Sequence, residues 1–146
     1  MRLQLALNVP NLDEAIEFYS KLFGASPAKV KPGYANWSLD EPSLKFVIFE
    51  SASAQPGSVN HLGFEVESAQ EVVDHERRLS ASGLATTGID DSICCFAEKV
   101  ETWVTDPCGH RWEVYVKTAD VEMESVTVPL GRSAVGVASG HAPCCG

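Results

Sequence analysis

Three side chains with donor atoms suited to a divalent metal stand far apart in the chain: Gln4, His61 and Glu113. An amide oxygen, an imidazole nitrogen and a carboxylate can together hold such an ion, leaving about three positions of an octahedron for water, dioxygen or substrate. Each residue alone has an ordinary alternative. A strand glutamine hydrogen-bonds to a neighbour, a histidine near a glycine serves the framework, and a glutamate on a half-buried strand faces solvent. A second reactive group is Cys94-Cys95, which follows Asp90-Asp91-Ser92 and is expected between strands, at the tip or edge of a hairpin. Two adjacent thiolates are soft donors that can grip trivalent arsenic or cadmium; the alternative is one small buried hydrophobe with an incidental neighbour. His141-Ala142-Pro143-Cys144-Cys145 repeats the thiol pair near the end of the chain.

The elements that must position these groups are legible as periodicities. Leu3, Leu5, Leu7 and Val9 alternate with Gln4, Ala6 and Asn8, which predicts a strand with one apolar face and Gln4 on the other. Leu12, Ala15, Ile16, Tyr19, Leu22 and Phe23 recur at helical spacing, and Gly24 stops the helix. Short β-type runs follow at 28–30, 34–39 after Pro32-Gly33, and 44–50, and Ser51 to Ser58 reads as a linker. The same order then begins again. A shift of 57 positions lays Leu5, Leu7 and Val9 on Leu62, Phe64 and Val66, and lays Gln4 on His61. The second round predicts a helix over 68–82 with Gly83 as its stop, then strands near 84–87, 98–105 and 111–117. In the last of these, after the Asp106-Pro107-Cys108-Gly109 turn, Trp112, Val114 and Val116 share one face and Arg111, Glu113 and Tyr115 the other.

Two βαβββ modules, 1–50 and 59–118 joined by the linker 51–58, make an α+β fold in a single domain, followed by a flexible, cysteine-containing tail over 119–146. Paired about a pseudo-twofold, the modules are expected to form a curved, incomplete barrel with the polar strand faces on its concave side. Gln4, His61 and Glu113 would then converge.

Composition narrows the function classes. A chain of 146 residues suits one domain, able to bury roughly 70% of its unfolded surface. Twenty acidic against 11 basic side chains give a formal charge of -9, which disfavours nucleic acid and anionic membrane surfaces as partners. No apolar run approaches the roughly 18 residues of a membrane span, and the N-terminus enters a strand pattern without a signal-peptide core, so a cytoplasmic location is expected. Five cysteines arranged as two adjacent pairs and Cys108 are a poor disulfide framework, because vicinal cysteines close a strained small ring.

The chain resembles the vicinal oxygen chelate superfamily, the glyoxalase and extradiol dioxygenase group, over about residues 1–118. The resemblance is carried by the N-terminal donor strand, the helix Ala15-Ile16-Glu17-Phe18-Tyr19 to Leu22-Phe23-Gly24, Asn60-His61-Leu62-Gly63-Phe64, and Asp106-Pro107-Cys108-Gly109 leading to Glu113. Aligning Trp37 with Trp103 sets Val47 at the position equivalent to Glu113; valine cannot ligate, so the resemblance implies three ligands rather than four. Glu50, three residues on and on the opposite strand face, is a weak substitute. Within the superfamily, Gln4, His61, Glu113, the Lys31-Pro32-Gly33-Tyr34-Ala35-Asn36 loop, Cys94-Cys95 and the terminal pair are similar to organoarsenical C–As lyases of the ArsI type and related cadmium-induced proteins of the CadI type.

That resemblance implies a non-haem Fe(II) dioxygenase, with dioxygen as co-substrate, that cleaves the carbon–arsenic bond of trivalent methyl- and aryl-arsenicals to release arsenite. Gln4, His61 and Glu113 would hold the metal, and Cys94 and Cys95 the arsenic. His110, Tyr34 and Tyr115 are the candidate proton donors. The tail would ferry a soft ion to the site. A homodimer is compatible with the resemblance, since superfamily members assemble modules within one chain or across two. Two rival readings remain at this point: a Cd or As sequestering protein without turnover, and a glyoxalase-like metalloenzyme that needs neither thiols nor dioxygen.

Overall fold

The computed structural model describes residues 1–53, 55, 57–94 and 97–120, with Cys94 described by its backbone alone. Its elements run β1 (Arg2–Val9), α1 (Leu12–Phe23), β2 (Lys29–Lys31), β3 (Tyr34–Leu39), β4 (Leu44–Glu50), β5 (Val59–Glu65), α2 (Ala69–Ala81), β6 (Asp90–Cys94), β7 (Ala97–Thr105) and β8 (Arg111–Asp120). This is βαβββ twice over, an α+β fold. No helix among the described residues is long and apolar enough to cross a membrane.

Contacts divide the chain into two compact units whose borders differ from those of the modules. The first holds Met1–Glu65 and Val104–Glu113; the second holds Val66–Trp103 and, among the described residues, 114–120. The first strand of module two joins the first unit because β5 pairs antiparallel with β1, with Gln4 opposite Gly63 and Ala6 opposite His61.

In the first unit the strands are hydrogen-bonded in the order β2-β3-β4-β1-β5-β8. β1 runs parallel to β4, while β3 is antiparallel to both β4 and β2. Alternation along β1 sends Leu5, Leu7 and Val9 towards α1, where Leu12, Ala35, Trp37, Phe46 and Ile48 complete the core. Tyr19, Phe23, Trp37 and Phe46 pack there as an aromatic cluster, with Tyr19 and Phe46 centroids 4.5 Å apart. The Trp37 indole N–H donates to Ala25 O at 3.0 Å, so this fully buried ring leaves no unpaired donor.

Both ends of α1 are set by local chemistry. The Asn11 side chain accepts from Glu14 N, and Gly24 takes the left-handed conformation (φ 63°) that ends the helix. Glu50 accepts from Leu12 N at 3.0 Å, satisfying one of the first-turn donors, so its carboxylate serves the helix.

In the second unit the order is β8-β7-β6, with β6 and β7 antiparallel. Ser68 caps α2, accepting from Glu71 N. Two expectations are corrected here. The run 84–87 carries only a single bridge, at Thr86: Thr87 N donates to Trp103 O at 3.0 Å, while Trp103 N returns to the Thr87 hydroxyl at 3.0 Å. The acidic segment Asp90-Asp91-Ser92, which falls between the strands expected at 84–87 and 98–105, is itself part of strand β6. The long β7 supplies its whole ladder, from Asp90 opposite Glu101 to Cys94 opposite Ala97, and this pairing overrides the weak β-propensity of aspartate.

Candidate metal centre

The polar side of β1 is not solvated. Gln4 is 5% exposed, Ala6 and Asn8 are buried beside it, His61 on β5 is 4% exposed, and Glu113 on β8 is fully buried. All three expected donors belong to the first unit. Gln4 Nε2 lies 2.8 Å from His61 Nε2 and 3.0 Å from Glu113 Oε2, and His61 Nε2 lies 3.6 Å from Glu113 Oε2. Donors about 2.1 Å from one divalent ion stand about 3.0 Å apart when cis on an octahedron, so the triangle has the dimensions of such a set. The Gln4 amide presents its NH2 to the two acceptors; turning it by half a revolution presents Oε1 instead, and both orientations fit the same side-chain envelope. Among the described residues no three His, Cys, Asp or Glu side chains gather into a metal-binding group, and the triangle here has the Gln4 amide as its third corner.

The surroundings explain how this polar set stays buried. His61 Nδ1 is 2.7 Å from Asn60 Oδ1, Asn60 Nδ2 donates to Asn8 Oδ1 at 2.9 Å, and Asn8 Nδ2 donates to Ser58 Oγ at 3.0 Å. The Phe49 ring flanks the imidazole at 6.2 Å between centroids. Gly63 is the residue that lets β8 approach: a Cβ there would stand 2.7 Å from the Glu113 carbonyl oxygen and 3.2 Å from its Cβ. Val47, opposite Ala6 on β4, is buried and contributes no donor at the position equivalent to Glu113.

The remaining expected residues divide between the two units and the segments outside the described residues. Cys94 closes β6 and belongs by its backbone to the second unit. Its side chain, Cys95, and the tail with His141, Cys144 and Cys145 lie outside the described residues. Cys108 is an exposed thiol in the turn before β8. His110 is in the same turn, where its ring meets Asp106 Oδ2 at 3.0 Å and its main-chain N–H donates to Asp106 Oδ1 at 2.9 Å. That main-chain bond is the leading reason the Asp106 carboxyl titrates below its ordinary value, ahead of the opposing effect of burial. Tyr34 is buried on β3, its hydroxyl accepting from Asn36 Nδ2 at 2.6 Å, and Tyr115 is buried in the second unit with Lys99 Nζ 5.1 Å from its ring centroid.

Sequence reasoning did not assign roles to Asn8, Ser58, Asn60 or Gly63. The usable signal was Asn60-His61-Leu62-Gly63 itself, a polar residue and a glycine flanking the histidine. Strict alternation would have turned Asn60 to the opposite face.

Residues 3–114 match the sequence profile of the Glyoxalase/Bleomycin resistance protein/Dioxygenase superfamily. The chain is 46% identical over 150 aligned residues to a trivalent organoarsenical cleaving enzyme of Thermomonospora curvata, covering 99% of each. It is 50% identical over 121 residues to the cadmium-induced protein CadI of Mycobacterium tuberculosis, covering 83% of this chain and 79% of that one. Among solved structures, the 2,3-dioxygenase LapB of Pseudomonas sp. KL28 shares the fold with a TM-score of 0.62 at 23% identity, covering 90% of this chain and 46% of that one. Two βαβββ modules, a profile match over most of the length and these relatives agree: the chain belongs to the glyoxalase, bleomycin resistance protein and dioxygenase superfamily, the vicinal oxygen chelate group.

Proposed function

We propose that this protein is a cytoplasmic, non-haem Fe(II) dioxygenase that cleaves the carbon–arsenic bond of trivalent organoarsenicals and releases arsenite. The observation that carries the reading is the buried triangle of Gln4 Nε2, His61 Nε2 and Glu113 Oε2, with edges of 2.8, 3.0 and 3.6 Å. The 46% identical relative of Thermomonospora curvata, a trivalent organoarsenical cleaving enzyme, supports the substrate class.

Gln4 through Oε1, His61 through Nε2 and one carboxylate oxygen of Glu113 would hold the ion. Iron(II) bound there would supply the electrons that activate dioxygen next to the carbon–arsenic bond. Glu113 contributes the negative charge that offsets part of the metal's, in a setting where burial strengthens every electrostatic contact. The buried faces of Ala6, Val47 and Phe49 limit bulk water around the triangle's strands. Cys94 and Cys95 would bind arsenic as a dithiolate and hold its carbon substituent in place, so that the reaction becomes effectively intramolecular.

The decisive assay is oxygen uptake and arsenite release with a trivalent organoarsenical and Fe(II). Turnover should vanish without oxygen, in Glu113→Ala, and in the Cys94→Ser/Cys95→Ser double variant. The CadI relative favours one competing reading, a soft-metal binding protein without turnover. Full resistance retained by Glu113→Ala would select that reading, whereas activity retained by the double cysteine variant would select a glyoxalase-like enzyme.

A further inference from the structure

β5 is not a regular strand at the histidine. Ala6 is opposite His61 but Leu7 is opposite Val59, so the register slips by one residue and Asn60 has no partner across β1. Adjacent residues on a strand normally point to opposite faces, which would keep the Asn60 amide away from the His61 ring. The bulge removes that constraint and lets neighbours in sequence meet, Nδ1 to Oδ1, at 2.7 Å.

From this geometry we infer that Asn60 is the positioning residue of the candidate metal centre, fixing His61 with its hydrogen on Nδ1 and a bare Nε2 before any metal arrives. The argument deepens the metal-site reading above and starts at the far end of a hydrogen-bond chain. A carboxylate oxygen only accepts, so Glu113 Oε2 takes a hydrogen from the Gln4 amide nitrogen at 3.0 Å. That same nitrogen is 2.8 Å from His61 Nε2. It has no lone pair to offer, so Nε2 must be the acceptor and Nδ1 must carry the ring hydrogen. Nδ1–H then requires an oxygen, which orients the Asn60 amide with Oδ1 towards the ring and Nδ2 towards Asn8 Oδ1. Asn8 in turn directs Nδ2 to Ser58 Oγ. Ser58 can donate or accept, so it imposes no direction of its own. The six side chains therefore have one self-consistent orientation, set by the carboxylate and transmitted by amides whose flips are coupled.

Asn8 is itself anchored by two main-chain bonds to the residues just before the bulge: its N–H donates to Ser58 O at 2.9 Å and its carbonyl accepts from Gly57 N at 3.0 Å. The Asn60 amide is thus held by a rigid neighbour. Partners of this kind fix the tautomer and ring orientation of a ligating imidazole, and their loss typically weakens metal binding about tenfold to hundredfold.

The test reads the tautomer directly in the full-length, metal-free protein. Long-range ¹H–¹⁵N spectra distinguish the two ring nitrogens, and His61→Gln assigns the signal among the four histidines. The wild type should show Nδ1–H at His61. Asn60→Leu should lose that single tautomer and bind Co(II) about tenfold to hundredfold more weakly by titration calorimetry, while Asn60→Asp, which keeps the acceptor, should retain both properties. Nε2–H in the wild type overturns the inference outright, without any variant. So does an Asn60→Leu protein, folded by circular dichroism, with unchanged tautomer and affinity. If the wild type shows Nδ1–H but binds no Co(II) or Fe(II), the metal-centre reading fails and the hydrogen-bond chain stands.

Discussion

Replacing Gly63 by alanine tests the link between strand packing and the candidate site. The added Cβ would sit 2.7 Å from the Glu113 carbonyl oxygen, against 3.4 Å for the close end of ordinary contact, so β5 and β8 must separate locally by 3.4 − 2.7 = 0.7 Å. The obstructing atom is main chain and cannot swing aside. Overpacking of this kind costs about 1–3 kcal/mol, and a middle value of about 2 kcal/mol lowers Tm by about 4–8 °C in a chain of this size. The displaced residue is the carboxylate donor, and sites of this type tolerate errors of only about 0.5 Å. Metal affinity should therefore fall about tenfold to hundredfold. Differential scanning calorimetry and Co(II) titration measure the two effects. Gly24→Ala is the control: its strain comes from a positive φ with no atom within 4 Å, so it should lose stability, about 1 kcal/mol, and keep its affinity. A Gly63→Ala protein with wild-type Tm and wild-type affinity refutes the reasoning.

Two further outcomes follow from other contacts. Lys99 Nζ lies 3.1 Å from Glu101 Oε2, with side chains 8% and 4% exposed, so Glu101→Ala should cost about 3–5 kcal/mol in urea unfolding because it removes one member of a buried ion pair. Lys99→Met with Glu101→Leu should recover most of that loss, and a single-variant effect below about 1 kcal/mol would contradict the burial argument. Asp106 should titrate below the ordinary aspartate value of about 3.9, chiefly because the His110 main-chain N–H favours its charged form. Its contribution to the turn before β8 is present above the unfolded-state value and lost as pH falls through the lowered folded one. A ¹³C-detected titration of Asp106 with a midpoint at or above 3.9 would remove that account.

The sequence was most informative where one periodicity served one packing surface. Leu12 to Phe23 carry a single helical stripe with a capping Asn11 and a terminal Gly24, and α1 has those bounds. Gln4 and His61 could be paired because duplication places them in equivalent strands. Glu113 was harder. Alternation along β8 identifies its face but not whether that face meets water, and what buries it is a strand contact through Gly63 with no trace in local composition. Asn60 was illegible for a related reason, since a register slip depends on two strands at once. β6 was missed because its ladder comes from β7, while its own residues, Asp90-Asp91-Ser92, favour turns.

The slip between β1 and β5 also determines where the chain can be opened for engineering. Positions 57–61 are locked, by Gly57 N and Ser58 O on Asn8 and by the amide contact at Asn60, so one added residue there would rotate the imidazole out of line. Ser51 is tied back to Val9 O, whereas Ala52 and Ser53 are exposed. A reporter domain or affinity tag grafted between Ala52 and Ser53 would leave both tethers intact.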